Sequence, residues 1–301
     1  MTKLIGGFRA MQRQIRYLAG YLELGRNAPV RRLTDFGRCR RPVLLLHGLF
    51  CTRRSLDVLE RRLRRDGYCV FSLNLGGLAQ SFNGRGIEHL ANHVHLKVER
   101  IYHRNPALGP LTIIGHSKGG LIGAYYVKKL GGWRRTRALL TLGSPHGGTA
   151  AAYAALPMGV LARSILQMRP SSPFLRELHD GSWPSGVRFV SLYSKKDKVV
   201  RFPSSLIETF NLSYLRNVEV DAHGHREFLF RKRVYDVLLT ELRQGEESAS
   251  AMMRNLTMAP APAPPPHVEA LTTRALGPSS SHGQRDGDRA RPASNSSPHA
   301  L

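Results

Sequence analysis

Cysteine is scarce, with three among 301 residues. Cys39, Cys51 and Cys69 are odd in number and none stands in C-x-x-C spacing, which excludes a fully paired disulfide framework and a cysteine-built zinc site. Free thiols in a reducing compartment are the expected state. Long apolar runs are also missing. The longest candidate, Leu111 to Leu130, is broken by Lys118, Lys128 and Lys129 and falls short of the ~20 apolar residues that a bilayer crossing needs. Residues 1–30 lack the apolar h-region and small-residue cleavage site of a secretory leader, so a cytoplasmic location is expected. Acidic residues are few: 21 against 45 Lys and Arg, a formal net charge of +24. From residue 245 onward, five arginines face Glu246, Glu247, Glu269, Asp286 and Asp288, so the whole excess lies on residues 1–244. Such a surface attracts phosphates of nucleic acid or anionic lipid alike. The chain has no paired Cys/His finger, no RNP-like aromatic motif and no basic region leading into heptads, so no nucleic-acid partner is expected.

What is present alternates. Short apolar runs at Pro42–His47, Tyr68–Leu73, Leu111–Ile114, Ala138–Leu142, Val187–Tyr193 and Val218–Asp221 predict six strands. Between them, helical spacing marks Ser55–Asp66, Ile87–His103 and Lys118–Leu130, with a last helix from about Arg226 to Leu242. This rhythm predicts an α/β fold, a mostly parallel sheet with helices on both faces. An insert with four prolines, about 150–184, separates the fourth and fifth strands. In residues 1–30, Leu4, Phe8, Met11, Ile15, Leu18 and Leu22 form a helical stripe with basic residues around it. That helix either docks on the protein's own core, the simpler reading, or lies on an anionic membrane. Residues 245–301 turn to Ala, Pro, Ser and Gly and are expected to be disordered.

The strongest chemical signal is Gly115-His116-Ser117-Lys118-Gly119, a G-x-S-x-G pentapeptide between an apolar strand and a helix. Such a turn holds the serine in a strained conformation with its hydroxyl presented, and only glycine fits where strand and helix nearly touch. A serine hydroxyl needs a base and a group to orient that base. Asp197, in a polar turn after the fifth strand, is the preferred acid over Asp180 and Asp221. Two histidines follow the sixth strand, His223 and His225; His225, between Gly224 and a helix start, is preferred. The backbone N–H groups of Lys118 and Leu49 are the expected oxyanion donors, Leu49 following His47-Gly48 at the end of the first strand. His89 and His93 lie one helical turn apart, but no carboxylate lies between them as in a metalloprotease helix, so no metal is expected. No cofactor is called for either.

With Leu44-Leu45-Leu46-His47-Gly48-Leu49, the elbow and Gly143-Ser144-Pro145-His146-Gly147-Gly148-Thr149, residues 40–243 resemble the lipase branch of the α/β-hydrolase superfamily. The last of these looks like the T-P-H-x-G-S/T segment of bacterial triacylglycerol lipases, which recurs in GPI-inositol deacylases and lecithin:cholesterol acyltransferase-like proteins. The resemblance implies a triad of Ser117, Asp197 and His225, an oxyanion hole from Leu49 and Lys118, and a lid formed by the insert over an apolar acyl pocket. The calcium site of some members has no counterpart aspartate pair here. The expected activity is hydrolysis of carboxylic esters, lipid esters first, with possible partners a lipid substrate and the surface of an anionic membrane. An acyltransferase using the same triad, or a non-catalytic lipid- or partner-binding protein of this fold, are the alternatives.

Overall fold

A computed structural model describes residues 34–75, 85–154 and 163–258. The chain divides into two units, Met1–Leu256 and Thr257–Leu301, and the sheet belongs entirely to the first. The stripe expected in residues 1–30 lies outside the described residues.

Six strands, β1 (Pro42–Leu46), β2 (Cys69–Ser72), β3 (Leu111–His116), β4 (Thr136–Leu142), β5 (Arg188–Tyr193) and β6 (Leu215–Glu219), form one sheet in the order β2-β1-β3-β4-β5-β6. Every neighbouring pair is parallel. Among the described residues, seven α-helices accompany them: α1 (Asp57–Arg65), α2 (Ile87–Arg104), α3 (Lys118–Lys129), α4 (Ala151–Ala154), α5 (Arg163–Gln167), α6 (Pro173–His179) and α7 (Lys232–Met258). Because side chains alternate along a strand, Leu44, Leu46 and Ile113 pack toward α2 and α3, while Val43, Leu45 and Ile114 face α1 and α7. Both faces are covered, which is why the inner strands read as unbroken apolar runs rather than alternating ones.

Pairing of Leu46 with Gly115, and of His116 with Leu142, brings the ends of three strands level at one edge. Open α/β sheets bind ligands beyond the carboxyl ends of their strands, and the loops after β1, β3, β4, β5 and β6 all leave from there. Helices α4, α5 and α6 lie in the insert expected between β4 and β5.

Two boundaries differ from the sequence expectation. Strand β6 runs Leu215–Glu219 rather than Val218–Asp221. As the edge strand it has one paired side, so Arg216 and Asn217 are accommodated without an apolar signal. Helix α7 begins at Lys232, after a 3-10 turn at Glu227–Leu229, and continues to Met258 instead of stopping at Leu242. Residues 245–258, expected to be disordered, are therefore helical. Gly245 weakens a helix by only ~1 kcal/mol, and just beyond it Glu246 is held by Arg41 and Arg137 from the sheet side. No proline occurs until Pro260. Among the described residues, no helix is long and apolar enough to cross a membrane.

Candidate active site

Ser117 sits between the end of β3 and the start of α3 with φ 55° and ψ −126°. A side-chain-bearing residue pays for that conformation in strain, of order 1–3 kcal/mol, and keeps it only when its surroundings dictate it. They do. A Cβ on Gly119 would lie 2.2 Å from the carbonyl oxygen of Leu46, and one on Gly115 would lie 2.5 Å from Cα of Gly120. The strand and helix approach so closely that only a sharp turn joins them. The N–H of Ser117 donates to the carbonyl of Leu142 (3.0 Å), and its own carbonyl accepts from the N–H of Gly120 (3.0 Å). The loop after β1 presses on the serine, since a Cβ on Gly48 would stand 3.0 Å from Cβ of Ser117. Lys118 opens α3, and the first N–H groups of a helix point out of its N-terminal end, toward Ser117.

Asp197 lies in the turn after β5 and is 3% exposed. Its two oxygens have different work. Oδ1 accepts the backbone N–H groups of Val199 (2.8 Å) and Val200 (3.2 Å), and Oδ2 accepts Nδ1–H of His225 (2.7 Å). The proton on Nδ1 leaves Nε2 of His225 as the basic nitrogen. Across this pair Gly143, at φ 56°, leaves room that a side chain would take from Asp197. Ser194 Oγ donates to the carbonyl of Ala222 (2.7 Å), fastening the Asp197 loop to the His225 loop.

The other candidates fall elsewhere. The His223 side chain is half exposed, beside Asp221. Asp221 itself is committed to Lys196 (2.9 Å) and Arg231 (3.1 Å). Asp180 is exposed at the end of α6, where its carbonyl takes Lys129 Nζ. Among the described residues, no group of His, Cys, Asp and Glu is arranged to hold a metal ion.

Two contributors escaped the sequence reading. His116 Nε2–H donates to the carbonyl of His225 (2.9 Å), so the residue just before Ser117 braces the His225 loop. Thr149 Oγ1 donates to the carbonyl of Val199 (2.5 Å), while its N–H donates to the carbonyl of Met168 (2.8 Å), pinning the insert to the Asp197 turn. Their partners lie 109, 50 and 19 residues away in sequence, beyond any local signal.

Three buried histidines surround this framework. Burial, the first cause in each case, lowers His47 to about 4, His116 to about 3 and His146 to about 3. The unfolded chain therefore binds more protons than the folded one between pH 6.5 and about 3, and stability falls as pH drops through that window. Thermal melts from pH 7 to pH 4 are expected to show a steadily falling midpoint beginning near 6.5, shallower in His146→Gln. A flat midpoint down to pH 4 would contradict burial of neutral imidazoles. Burial also depresses the Lys118 amine to about 7, and its Nζ donates to Ser164 of α5 (3.3 Å).

Ser117 and His225 share a cavity of about 290 Å³. Leu49, Phe50, Ala152, Ile165 and Met168 give it apolar walls, two of them from α5 and the residue after it. Among the described residues, its lining holds no Asp or Glu, and Arg226 is its one permanently charged member.

The sequence model of the family described as serine aminopeptidase, S33, matches residues 37–206, from before β1 to beyond the Asp197 turn. No curated protein matches this chain. Among solved structures, the mature lipase BlEst2 of Bacillus licheniformis superposes with a TM-score of 0.55 at 15% identity, covering 71% of this chain and 96% of that one. Lipase B of Aspergillus fumigatus gives 0.54 at 15% identity, over 68% of this chain and 53% of that one. An esterase of Exiguobacterium antarcticum gives 0.51 at 19% identity, over 68% and 92%. At these identities the likeness is one of fold.

Proposed function

This chain belongs to the serine aminopeptidase S33 family of α/β hydrolases, and from that premise we propose that it cleaves carboxylic esters, lipid esters first, through an acyl-Ser117 intermediate. The observation that carries the reading is that His225, held by Asp197 behind it, stands on the wall of the same apolar cavity as the strained Ser117. Ser117 Oγ attacks the ester carbonyl as Nε2 of His225 takes its proton. The negative oxygen that results is held by the N–H groups of Lys118 and Leu49, each such donor worth ~3 kcal/mol in the transition state. The C–O bond to the alcohol then breaks, and His225 returns the proton to the departing oxygen. Water, deprotonated by His225, attacks the acyl-serine; the acid leaves and Ser117 recovers its proton. Asp197 holds the imidazole and offsets its transient charge. The insert acts as the lid over the acyl group, consistent with Ile165 and Met168 on the cavity wall. Work at an anionic lipid surface suits the +24 charge. An alcohol in place of water would make the same acyl-enzyme a transferase.

The family's description suggests a second reading, removal of N-terminal amino acids. Recognition of a protonated α-amine calls for a carboxylate beside the serine. The cavity presents arginine instead, which disfavours such a substrate. The test is turnover of p-nitrophenyl butyrate and octanoate against leucyl-p-nitroanilide. Ester cleavage with no measurable anilide cleavage is expected; faster release from the anilide would overturn the ester assignment.

A further inference from the structure

His225 stands on the wall of a second cavity, of about 490 Å³, which shares Val199, His225 and Arg226 with the first. The mechanism proposed above gives that space a role. A general acid must lie within hydrogen-bond reach of the oxygen it protonates, so the leaving alcohol sits against His225. The apolar cavity beside Leu49 and Ser117 receives the acyl half. The alcohol half is left with the second cavity.

Its chemistry is distinctive. Val58, Leu229 and Phe230 supply apolar surface, and two half-buried guanidinium groups, Arg54 and Arg226, lie on the same lining. The lining's single carboxylate, Glu227, is already engaged: Oε2 accepts the N–H of His223 (2.9 Å) and Nη1 of Arg231 (2.7 Å). Burial opposes its ionisation, but these bonds prevail and hold its carboxyl below the usual range. Neighbouring Arg53 is turned away onto Ser72 Oγ (2.9 Å). Arg54 makes no side-chain ion pair among the described residues. The planar donor fork of a guanidinium matches the oxygens of a phosphate better than a neutral hydroxyl does.

We infer, resting on the ester-hydrolase reading, that the alcohol half of the substrate carries a phosphate, bound by Arg54 and Arg226 beside His225. The substrate class is then an acylated polyol phosphate rather than a neutral acylglycerol.

The test uses the full chain and two substrates that differ in one group, monooctanoylglycerol and its phosphomonoester, both kept below their micellar concentrations. The phosphorylated ester is expected to show the higher kcat/KM. Arg54→Gln should lower that value by about tenfold, within the range of a lost charge-assisted hydrogen bond, and leave the neutral ester unchanged. Arg54→Glu should lower it further. Raising salt should increase KM for the phosphorylated ester only. Arg54 is partly exposed, so both variants are expected to melt with the wild type. Equal kcat/KM on the two esters overturns the inference, as does a preference that survives Arg54→Glu. A loss shared by both substrates in Arg54→Gln would make Arg54 a structural residue and overturn it too. Turnover of p-nitrophenyl octanoate tells the failures apart. If it persists, only the phosphate assignment falls; if it is absent, the ester reading falls with it.

Discussion

Ser117→Ala is expected to lower kcat on p-nitrophenyl butyrate by about ten-thousandfold or more, with little change in thermal midpoint. The size follows from the division of labour in such sites. Removing the nucleophile from a serine hydrolase leaves only what binding and the oxyanion donors supply over water. The unchanged stability follows from the backbone. At φ 55° alanine carries the same strain as serine, and the hydroxyl has no part in the backbone bonds to Leu142 and Gly120. A glycine variant would differ, since it would relieve the strain. Activity undiminished in the alanine variant would remove Ser117 from the mechanism.

Asp197→Asn should come close to it, with kcat reduced by about ten-thousandfold although the two residues have nearly the same shape. The direction of the amide is decided by its neighbours. Val199 and Val200 both donate N–H groups to Oδ1, so the asparagine oxygen must stay there. Its NH₂ is then forced into the place of Oδ2, facing Nδ1 of His225. Nδ1 becomes an acceptor, the ring proton moves to Nε2, and the base that Ser117 needs is gone. Steady-state kinetics with a melting curve on the same preparation checks this. A fall of tenfold or less would mean that another group orients the histidine.

The parts of this site that were legible in the sequence are those governed by contacts between near neighbours. The elbow could be read because Gly115 is required by a clash within one strand–turn–helix unit, although the clash that requires Gly119 comes from Leu46 at the end of β1. Strands β1 to β5 could be read because each is covered by helices on both faces. Choosing between His223 and His225 rested only on a local preference, whereas in the fold it is decided by Asp197, 28 residues earlier. His116 looked like filler in a pentapeptide until its bond to the His225 carbonyl was seen. Strand β6 was placed three residues late because Arg216 and Glu219 are exposed there, leaving little apolar signal to read. Helix α7 was cut short because its continuation is secured by Arg41, 205 residues from Glu246. Arg54 and Arg226 illustrate the same limit. Nothing in the sequence sets them apart from the other arginines until the fold puts both beside one histidine.

The strand order also dictates when, during synthesis, this chain can become reactive. β1, β3 and β4 lie side by side, so a ribosome that has released about the first half of the chain has already supplied the serine and the neighbouring strands that strain it. The acid arrives with β5 and the base only after β6, an outer strand whose sole partner is β5. Until then, on the proposed mechanism, the nascent chain carries Ser117 with nothing to deprotonate it. Domains tend to form as units while they emerge, and here the last segment to join the sheet is the one that arms it. On the proposed mechanism, a prematurely terminated product lacking residues beyond 220 would be a chemically inert fragment, not a poorly controlled hydrolase.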